Sequence, residues 1–176
     1  MVTTDHPTVN GVDVAALEGA VEAIGENPAL GEFTFRAETQ WDGALRSVTT
    51  IDQLDQAGET VHSRAFTLQG DEPEQILGER TGPNAVETVL AALGSCLSVG
   101  YAANAAHMGI ELDALCFEME GEVDLRRFLG IAEDVRPGYG SITCTVYLDA
   151  DAGEATSPVV DALTDEVPLE TRLVVE

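Results

Sequence analysis

Hydrophobic and polar positions follow two different periods along the chain, and the changes of period predict its elements. After Asp13, a plausible N-cap, apolar residues at helical spacing predict a short helix with one buried face. Gly25 and Pro28 end this helix. The residues of the apolar face are Leu17, Ala20, Val21 and Ile24. From Phe33 to Trp41 the period becomes two, which predicts a strand.

Turn residues and further alternating stretches extend this strand into a meander. Asp42-Gly43 is the strongest local hairpin signal in the chain. Leu45 to Ile51 then predicts the return strand, and Val61 to Leu68 predicts a third. Gln69 to Thr81 predicts a polar loop. We therefore expect an antiparallel three-stranded sheet followed by a loop.

The stretch from Ala85 to Met108 predicts a long helix, around which we expect the rest of the chain to be organised. Pro83 suits its first turn, and Gly109 stands where a C-terminal glycine cap would. Small residues give this helix a thin surface that other backbone can approach: Ala91, Ala92, Gly94, Ser95, Gly100, Ala102, Ala103, Ala105 and Ala106. The pattern is typical of a buried central helix, and Cys96 lies in its middle.

Beyond this helix the chain is extended again. Ile110 to Val123 and Ser141 to Leu148 predict strands. Ser157, followed by proline, predicts the N-cap of a short helix through Leu163, and Val167 to Val175 predicts a closing strand. This order shows no βαβ alternation, so we expect one α+β domain over residues 1–176.

The net charge of the chain indicates the partners and the solvent conditions that we expect for it. The chain has 32 acidic and 8 basic residues, a net charge of −24, and all its basic residues are arginine. Such a chain repels nucleic acid and anionic membranes, so neither is expected as a partner. Hydrophobic residues make up 44% of the chain, which argues against disorder. We expect a cytoplasmic protein from a salt-loving source, whose acidic surface is screened by concentrated salt.

Familiar cofactor and metal motifs are missing from the sequence. It contains three cysteines without a C-x-x-C, and His6, His62 and His107 form no metal-binding spacing. No P-loop, G-x-G-x-x-G or G-x-S-x-G motif is found. The start of the chain is polar, and we expect no signal peptide or transmembrane segment. We therefore expect neither a cofactor nor a metal.

Several motifs resemble the OsmC/Ohr family of thiol peroxidases. They are Gly82-Pro83-Asn84, Glu87, the run from Leu90 to Leu97 and, downstream, Ser157-Pro158-Val159. The opening NGVDVAAL and the loop DLRRFLG…VRPGY are similar to a less characterised OsmC-like branch. The resemblance implies an OsmC-like fold, with antiparallel sheets wrapped around a central buried helix. It also implies an intertwined homodimer with its sites at the subunit interface.

The resemblance further implies a reaction. Active members use a helix cysteine to attack an organic hydroperoxide, and a second cysteine in a C-P-V context resolves the sulfenic acid as a disulfide. Cys96 matches the first cysteine, whereas Ser157 stands at the second. A catalytic cycle here would therefore need an external small thiol as reductant.

A reactive Cys96 requires a nearby cation, because the thiolate is the nucleophile and a mid-helix position gains little from the helix dipole. Arg46, just past the hairpin turn, lies near the position of the family's functional arginine and is the leading candidate. Arg36 and Arg64 are rivals, and each of the three is also a plausible surface residue.

Glu87 resembles the family glutamate that pairs with this arginine. Nine residues separate it from Cys96, so an unbroken helix places the two on opposite faces, about 13 Å apart along the axis. Direct contact needs a helix break, as at Gly94-Ser95, or a site shared across a dimer. The alternative role of Glu87 is a first-turn acid that favours the helix dipole.

The remaining candidates have structural interpretations. Cys144 is in register with apolar neighbours and is predicted to be core. Cys116 is on a predicted strand, but the sequence does not determine which face of the strand it occupies. It is the one cysteine that could conceivably replace the missing resolving cysteine. His107 is predicted to be a helix-end residue.

Two functions stay open on these grounds. One is an organic hydroperoxide reductase with Cys96 as nucleophile and an external thiol as resolver. The other is a non-catalytic binding or stress-associated protein that keeps the fold and an unreactive Cys96, since fold does not fix function.

Overall fold

The computed structural model describes residues 8–150 and 169–175. These residues include two α-helices, α1 (Val14–Glu26) and α2 (Ala85–His107), and two short 3-10 helices, Pro28–Gly31 and Glu74–Ile76. The strands are β1 (Thr8–Val9), β2 (Val12–Asp13), β3 (Phe33–Trp41), β4 (Ser47–Gln56), β5 (Glu59–Gly70), β6 (Leu112–Val123), β7 (Tyr139–Ala150) and β8 (Leu169–Val175). The predicted α+β class is confirmed. The short helix predicted from Ser157 lies outside the described residues.

The chain divides into two compact units. One is Ala15–Val89, and the other combines Met1–Val14 with Leu90–Glu176. The first turn of α2 belongs to the former and the rest of that helix to the latter. A single domain over residues 1–176 stays a prediction.

An antiparallel meander, β3-β4-β5, forms the sheet of the 15–89 unit, as predicted. Asp42-Gly43 lies in the hairpin loop between β3 and β4, as predicted; this loop spans residues 42–46, and the Trp41 indole donates to the Ala44 carbonyl at 2.9 Å. A second turn, Ala57-Gly58, joins β4 to β5 through two residues whose φ is 52° and 81°. Two positive φ angles are the mark of a type I′ hairpin, which is the turn that matches strand twist.

Helix α1 forms where the sequence predicts it, but the expected burial of its apolar face is wrong for the isolated chain. None of its residues is buried, and Val21 is 66% exposed. Periodicity identifies a face that avoids water, but it does not identify what covers that face.

The sheet of the other unit has the order β6-β7-β8 and packs its core against α2. Four residues form the buried cluster: Leu97, Tyr101, Cys144 and Val146. The Tyr101 ring meets Phe117 edge-on at a centroid distance of 5.1 Å. The core assignment of Cys144 is confirmed, since this side chain is fully buried. Strand β8 pairs with β7 in parallel, whereas β6 and β7 are antiparallel.

The ends of α2 follow local rules. Asn84 is its N-cap, so Pro83 precedes the cap instead of occupying the predicted first turn. Gly109 adopts φ 70° after the last turn, as predicted, and the Ile110 amide donates to the Ala105 carbonyl at 2.8 Å. Along the helix, three of its 23 residues are buried. The isolated chain therefore does not bury α2 as the sequence predicts.

A hairpin that the sequence analysis missed precedes α1. Strands β1 and β2 pair through a turn at Asn10-Gly11, where φ is 55° and 76°. The side-chain NH2 group of Asn10 donates to the Ile110 backbone carbonyl, and the Asn10 side-chain oxygen accepts a hydrogen bond from the Leu112 backbone amide. An Asn-Gly pair is a strong hairpin signal, so this turn could have been found from sequence.

The Ala57-Gly58 turn gives a stability prediction. Ala57 holds a left-handed backbone, which alanine adopts less readily than asparagine. We expect Ala57→Asn to raise the free energy of unfolding by about 0.5–1 kcal/mol, and Gly58→Ala to lower it by about 1 kcal/mol or more. Denaturant unfolding in concentrated KCl measures both. Equal midpoints for Ala57→Asn and the wild type would contradict the expectation.

Candidate functional site

Cys96 is exposed on α2, and its neighbour Leu97 is the residue that enters the core. The other two cysteines differ from it. Cys144 is fully buried, and burial raises the pKa of its thiol. Cys116 is exposed on β6, which settles the face that the sequence left open. The described chain thus presents two accessible thiols and one core thiol.

An open groove lies between α2 and β6 on this unit. Its volume is about 520 Å³, and its lining side chains are apolar except for one thiol and one hydroxyl. The lining residues are Leu90, Ala91, Gly94, Ser98, Leu115, Cys116, Phe117 and Met119. Cys116 thus belongs to this groove, while Cys96 is not among its lining residues.

Each of the three arginines proposed from sequence already has a partner. Arg46 Nη1 lies 2.7 Å from the Glu79 carboxylate, and Arg36 Nη2 lies 2.6 Å from that of Asp55. The Arg64 guanidinium is 5.9 Å from the centre of the Phe66 ring. The structure gives each arginine a role in the meander or in the loop that follows it.

Glu87 pairs with an arginine that the sequence analysis did not consider. Its carboxylate lies 2.8 Å from Arg80 Nη2. The same carboxylate accepts the Asn84 amide at 2.9 Å, and the Asn84 side chain accepts the Glu87 amide at 2.9 Å. This reciprocal pair is a capping box. The Asn84 amide, then Arg80, hold the pKa of Glu87 below its usual value.

The pairing of Glu87 with Arg46, which the family resemblance implies, is therefore replaced within this chain by Glu87–Arg80. Helix α2 is also continuous from Ala85 to His107, so the break considered at Gly94-Ser95 is not present. Of the predicted arrangements, the first-turn role of Glu87 is the one that its contacts show.

Asp71 organises the loop between β5 and α2. It is 3% exposed and accepts four hydrogen bonds. The donors are the Glu72 amide at 2.8 Å, the Glu79 amide at 3.2 Å, and the Thr81 amide and hydroxyl at 3.0 and 2.9 Å. The Thr81 amide is the main cause of a pKa below the usual value for Asp71. This carboxylate therefore stabilises the fold above its unfolded pKa, and that stabilisation is lost as the pH falls through its folded pKa.

Close backbone approaches keep this loop compact. A Cβ at Gly78 would overlap the Glu72 carbonyl, and one at Gly82 would overlap the Gln69 carbonyl. Leu77 and Arg80 have φ of 71° and 51°, in the left-handed region that side chains disfavour. The loop is thus folded into one conformation by its glycines and by Asp71.

Within residues 8–150 and 169–175, no group of three or more His, Cys, Asp or Glu side chains could hold a metal ion. Helix α2 is long and apolar enough to cross a membrane by length and composition alone. The core helices of soluble proteins have the same length and composition, so these two properties do not distinguish a membrane span from a core helix. His107 is exposed at the end of α2, as predicted.

Comparisons with known proteins show which family this chain resembles. The model of the family described as OsmC-like protein matches residues 78–172, while no curated protein matches the chain. An OsmC like protein from Mycoplasma pneumoniae has a TM-score of 0.55 at 12% identity, covering 81% of this chain and 96% of that one. A protein from Psychrobacter arcticus 273-4, named for osmotic stress induction and the detoxification response, has a TM-score of 0.51 at 12% identity, with coverages of 80% and 94%.

A third solved structure, from Legionella pneumophila, is named as an organic hydroperoxide resistance protein OsmC. It has a TM-score of 0.47 at 14% identity and covers 81% of this chain and 96% of that one. The first two structures share the fold of this chain. The family match spans just over half of the chain and includes Glu87 and Cys96. The chain therefore belongs to the family of OsmC-like proteins.

Proposed function

We propose that this chain is an organic hydroperoxide reductase that uses Cys96 as its nucleophile and an external small thiol as its reductant. The observation that carries the proposal is the exposed thiol of Cys96, on the helix where the family motif places it. The stress and detoxification name of the Psychrobacter protein agrees with this class of function.

The chemistry needs one thiolate and two further thiols. The Cys96 thiolate attacks the outer oxygen of the hydroperoxide, the O–O bond breaks, and an alkoxide leaves and takes a proton to become an alcohol. The product is a sulfenic acid. One external thiol condenses with it to give a mixed disulfide and water. A second external thiol then attacks that disulfide, releasing a small-molecule disulfide and the free Cys96 thiol.

We propose an external thiol because neither Ser157 nor the other two cysteines of the chain is suited to resolve a sulfenic acid on Cys96. Ser157 cannot form a disulfide, and Cys144 is enclosed in the core with a raised pKa. Cys116 is accessible but belongs to the groove on β6. We therefore propose that Cys116 is not the resolving cysteine.

A second candidate function is a non-catalytic binding or stress-associated protein with an unreactive Cys96. One observation favours it. Arg46, Arg36 and Arg64 each have another partner, whereas a reactive thiol requires a cation near it. The two proposals differ in whether Cys96 reacts with peroxide.

Peroxide treatment distinguishes the two proposals. With tert-butyl hydroperoxide and excess small thiol, we expect Cys96→Ser to lower the rate of peroxide consumption by about 100-fold or more, because the nucleophile is lost. Cys116→Ser is the matched control and should stay within about twofold of the wild type. Peptide mapping without the small thiol should find oxygen adducts on Cys96. An untouched Cys96, or a Cys96–Cys116 bridge, would count against the proposal.

We also propose that the protein is a homodimer. Large apolar side chains are exposed on both units, including Phe35 at 73%, Trp41 at 77% and Val99 at 68%. No residue of α1 and only three of α2 are buried in the isolated chain. Exposed apolar surface on this scale marks an interaction site, and a second copy would cover it symmetrically.

A charge placed on α2 tests the dimer. We expect Val99→Glu to weaken self-association by at least about tenfold, because a carboxylate would be buried in the interface without a partner. Gln75→Glu adds the same charge to the polar loop before α2 and should leave association unchanged. Sedimentation equilibrium in concentrated KCl measures both. A wild-type monomer at micromolar concentration would refute the dimer.

The net charge of −24 supports a cytoplasm rich in salt as the working environment. Self-repulsion among carboxylates is screened when the Debye length falls to roughly 3 Å near 1 M salt. We expect the melting temperature to rise steadily from dilute buffer to molar KCl. Thermal scans with sodium sulfate at matched ionic strength control for ion type, and a flat dependence in both salts would contradict the expectation.

A further inference from the structure

The loop that joins β6 to β7, residues 124–138, displays apolar side chains and arginines that the chain itself leaves exposed. We propose that this arginine loop docks on the outer face of β6 in a second copy of the chain, where Glu118 and Glu120 receive its arginines. The contact uses neither α1 nor α2 and does not depend on the reactivity of Cys96. It therefore goes beyond both the function and the dimer interface proposed above.

Local hydrogen bonds fold the first part of the arginine loop into one helical turn. The Asp124 carboxylate accepts the Arg126 backbone amide at 3.0 Å at the start of the turn. Gly130 ends the turn with φ 70°, and the Ile131 amide donates back to the Arg126 carbonyl at 2.8 Å. The turn is thus formed before any partner binds, which lowers the entropy cost of docking.

Three large apolar side chains of this turn are exposed to solvent. Phe128 is 78% exposed, Ile131 is 69% exposed and Leu129 is 58% exposed. Single exposed apolar residues are common on protein surfaces, but a contiguous group of them marks an interaction site. Aromatic residues and arginine are also enriched in protein–protein interfaces. The arginine loop therefore has the composition of a protein contact.

The charge of the arginine loop differs from that of the rest of the chain. The loop carries three of the eight basic residues and three acidic residues, so its formal charges cancel, whereas the whole chain carries −24. Arg126 pairs with Asp124 at 2.6 Å, while Arg127 donates to the Glu133 backbone carbonyl at 3.0 Å. Among the described residues, neither Arg127 nor Arg136 pairs with a carboxylate. The loop therefore offers two guanidinium groups to a partner.

The outer face of β6 has the complementary charge. Successive side chains of a strand point to opposite faces of its sheet. Leu115, Phe117 and Met119 pack against the buried cluster that α2 and β7 form. Glu118 and Glu120 therefore lie on the opposite face, where both are exposed. This face of a second copy presents carboxylates at the spacing of alternate residues.

An aromatic ring lies beside these carboxylates. The Tyr147 hydroxyl, on β7, donates to the Glu118 carboxylate at 3.0 Å, and the tyrosine side chain is exposed. The face thus offers an aromatic surface for Phe128 next to the acidic groups for the arginines. Both kinds of side chain in the arginine loop therefore have a counterpart on β6 and β7.

One hairpin carries both halves of the contact. Strands β6 and β7 are antiparallel, and the arginine loop directly follows the last residue of β6. At about 3.4 Å per residue, Glu120 lies roughly 14 Å from the start of the loop. Two copies related by a two-fold axis, with their hairpins antiparallel, place each loop over the glutamates of the other copy. The contact is then self-complementary and forms twice.

Concentrated salt favours a second copy over other acidic partners. Attraction of a few arginines to nucleic acid falls steeply as the salt concentration rises. Repulsion between two chains of net charge −24 is screened to roughly 3 Å near 1 M salt, so close contacts become possible between them. Burial of Phe128 and its neighbours is not weakened by such screening. Apolar contact and short ion pairs together then hold the two copies.

Photocrosslinking tests the contact directly. Benzoylphenylalanine in place of Phe128 keeps an aromatic ring in the loop, and a mixture of unlabelled and isotope-labelled chains separates crosslinks between copies from those within one. In concentrated KCl we expect a crosslink between copies to the β6 peptide that contains residues 114–122. A crosslink between copies that maps elsewhere, or none, overturns the inference. Flotation of the wild type with anionic phospholipid vesicles would also overturn it, because the loop would then contact a membrane.

Charge reversal tests the pairing of arginine with glutamate. We expect Arg127→Glu to lower the crosslink yield by at least about fivefold, because it places a carboxylate against two others. Glu120→Arg should do the same, and the double variant should recover the yield to within about twofold of the unreversed protein. Arg64→Glu, which reverses an exposed arginine of the 15–89 unit, is the matched control and should leave the yield unchanged. A double variant that recovers no yield overturns the pairing.

Two further variants separate this contact from the proposals above. The crosslink should persist in Val99→Glu, the variant directed against the α2 interface, and its loss there would overturn a separate contact. It should also persist in Cys96→Ser, since the measurement involves no peroxide. A crosslink found together with an unreactive Cys96 supports the docking surface and counts against the peroxidase proposal alone.

Discussion

Helix α2 has more apolar surface than its own chain covers, and this constraint governs the rest of the structure. Leu97, Tyr101 and Ala106 are its buried residues, while Val89 and Val99 are exposed. A helix that is apolar on every side is stable in water only when it is surrounded. The small residues that give α2 a thin surface also permit close packing by a second chain. In the homodimer proposed above, the helix that carries Cys96 would therefore also form part of the interface.

Local signals were the part of the fold that the sequence could predict. The bounds of α2 and its glycine cap depend on neighbouring residues, and the meander depends on alternation along each strand. The Ala57-Gly58 turn between β4 and β5 could not be predicted in this way, because alanine rarely adopts a positive φ. The parallel placement of β8 was also beyond prediction, since strand patterns carry no direction.

In the candidate site too, the sequence could predict the features that depend on neighbouring residues and could not predict the contacts between distant ones. The first-turn position of Glu87 follows from spacing, and an Asn-x-x-Glu capping box was visible in the sequence, whereas the exposure of most of α2 was not predicted. Arg80 was not visible as its partner, because it lies in an irregular loop, has φ 51°, and has neighbours whose amides donate to Asp71, a residue distant in sequence. The conformation of this loop depends on contacts that form when the loop closes around the buried Asp71 carboxylate, and no single residue of the loop predicts it.

The side chain of Asn10 has a consequence for the order of folding. It joins the first hairpin to residues 100 and 102 positions further along the chain, at the end of α2 and the start of β6. Contacts so distant in sequence form late, because the entropy of closing a long loop must be overcome before they contribute any stabilisation. Because synthesis runs from the N-terminus to the C-terminus, the anchor at residues 110–112 is made about a hundred residues after the hairpin. The hairpin therefore lacks this anchor while those residues are being synthesised.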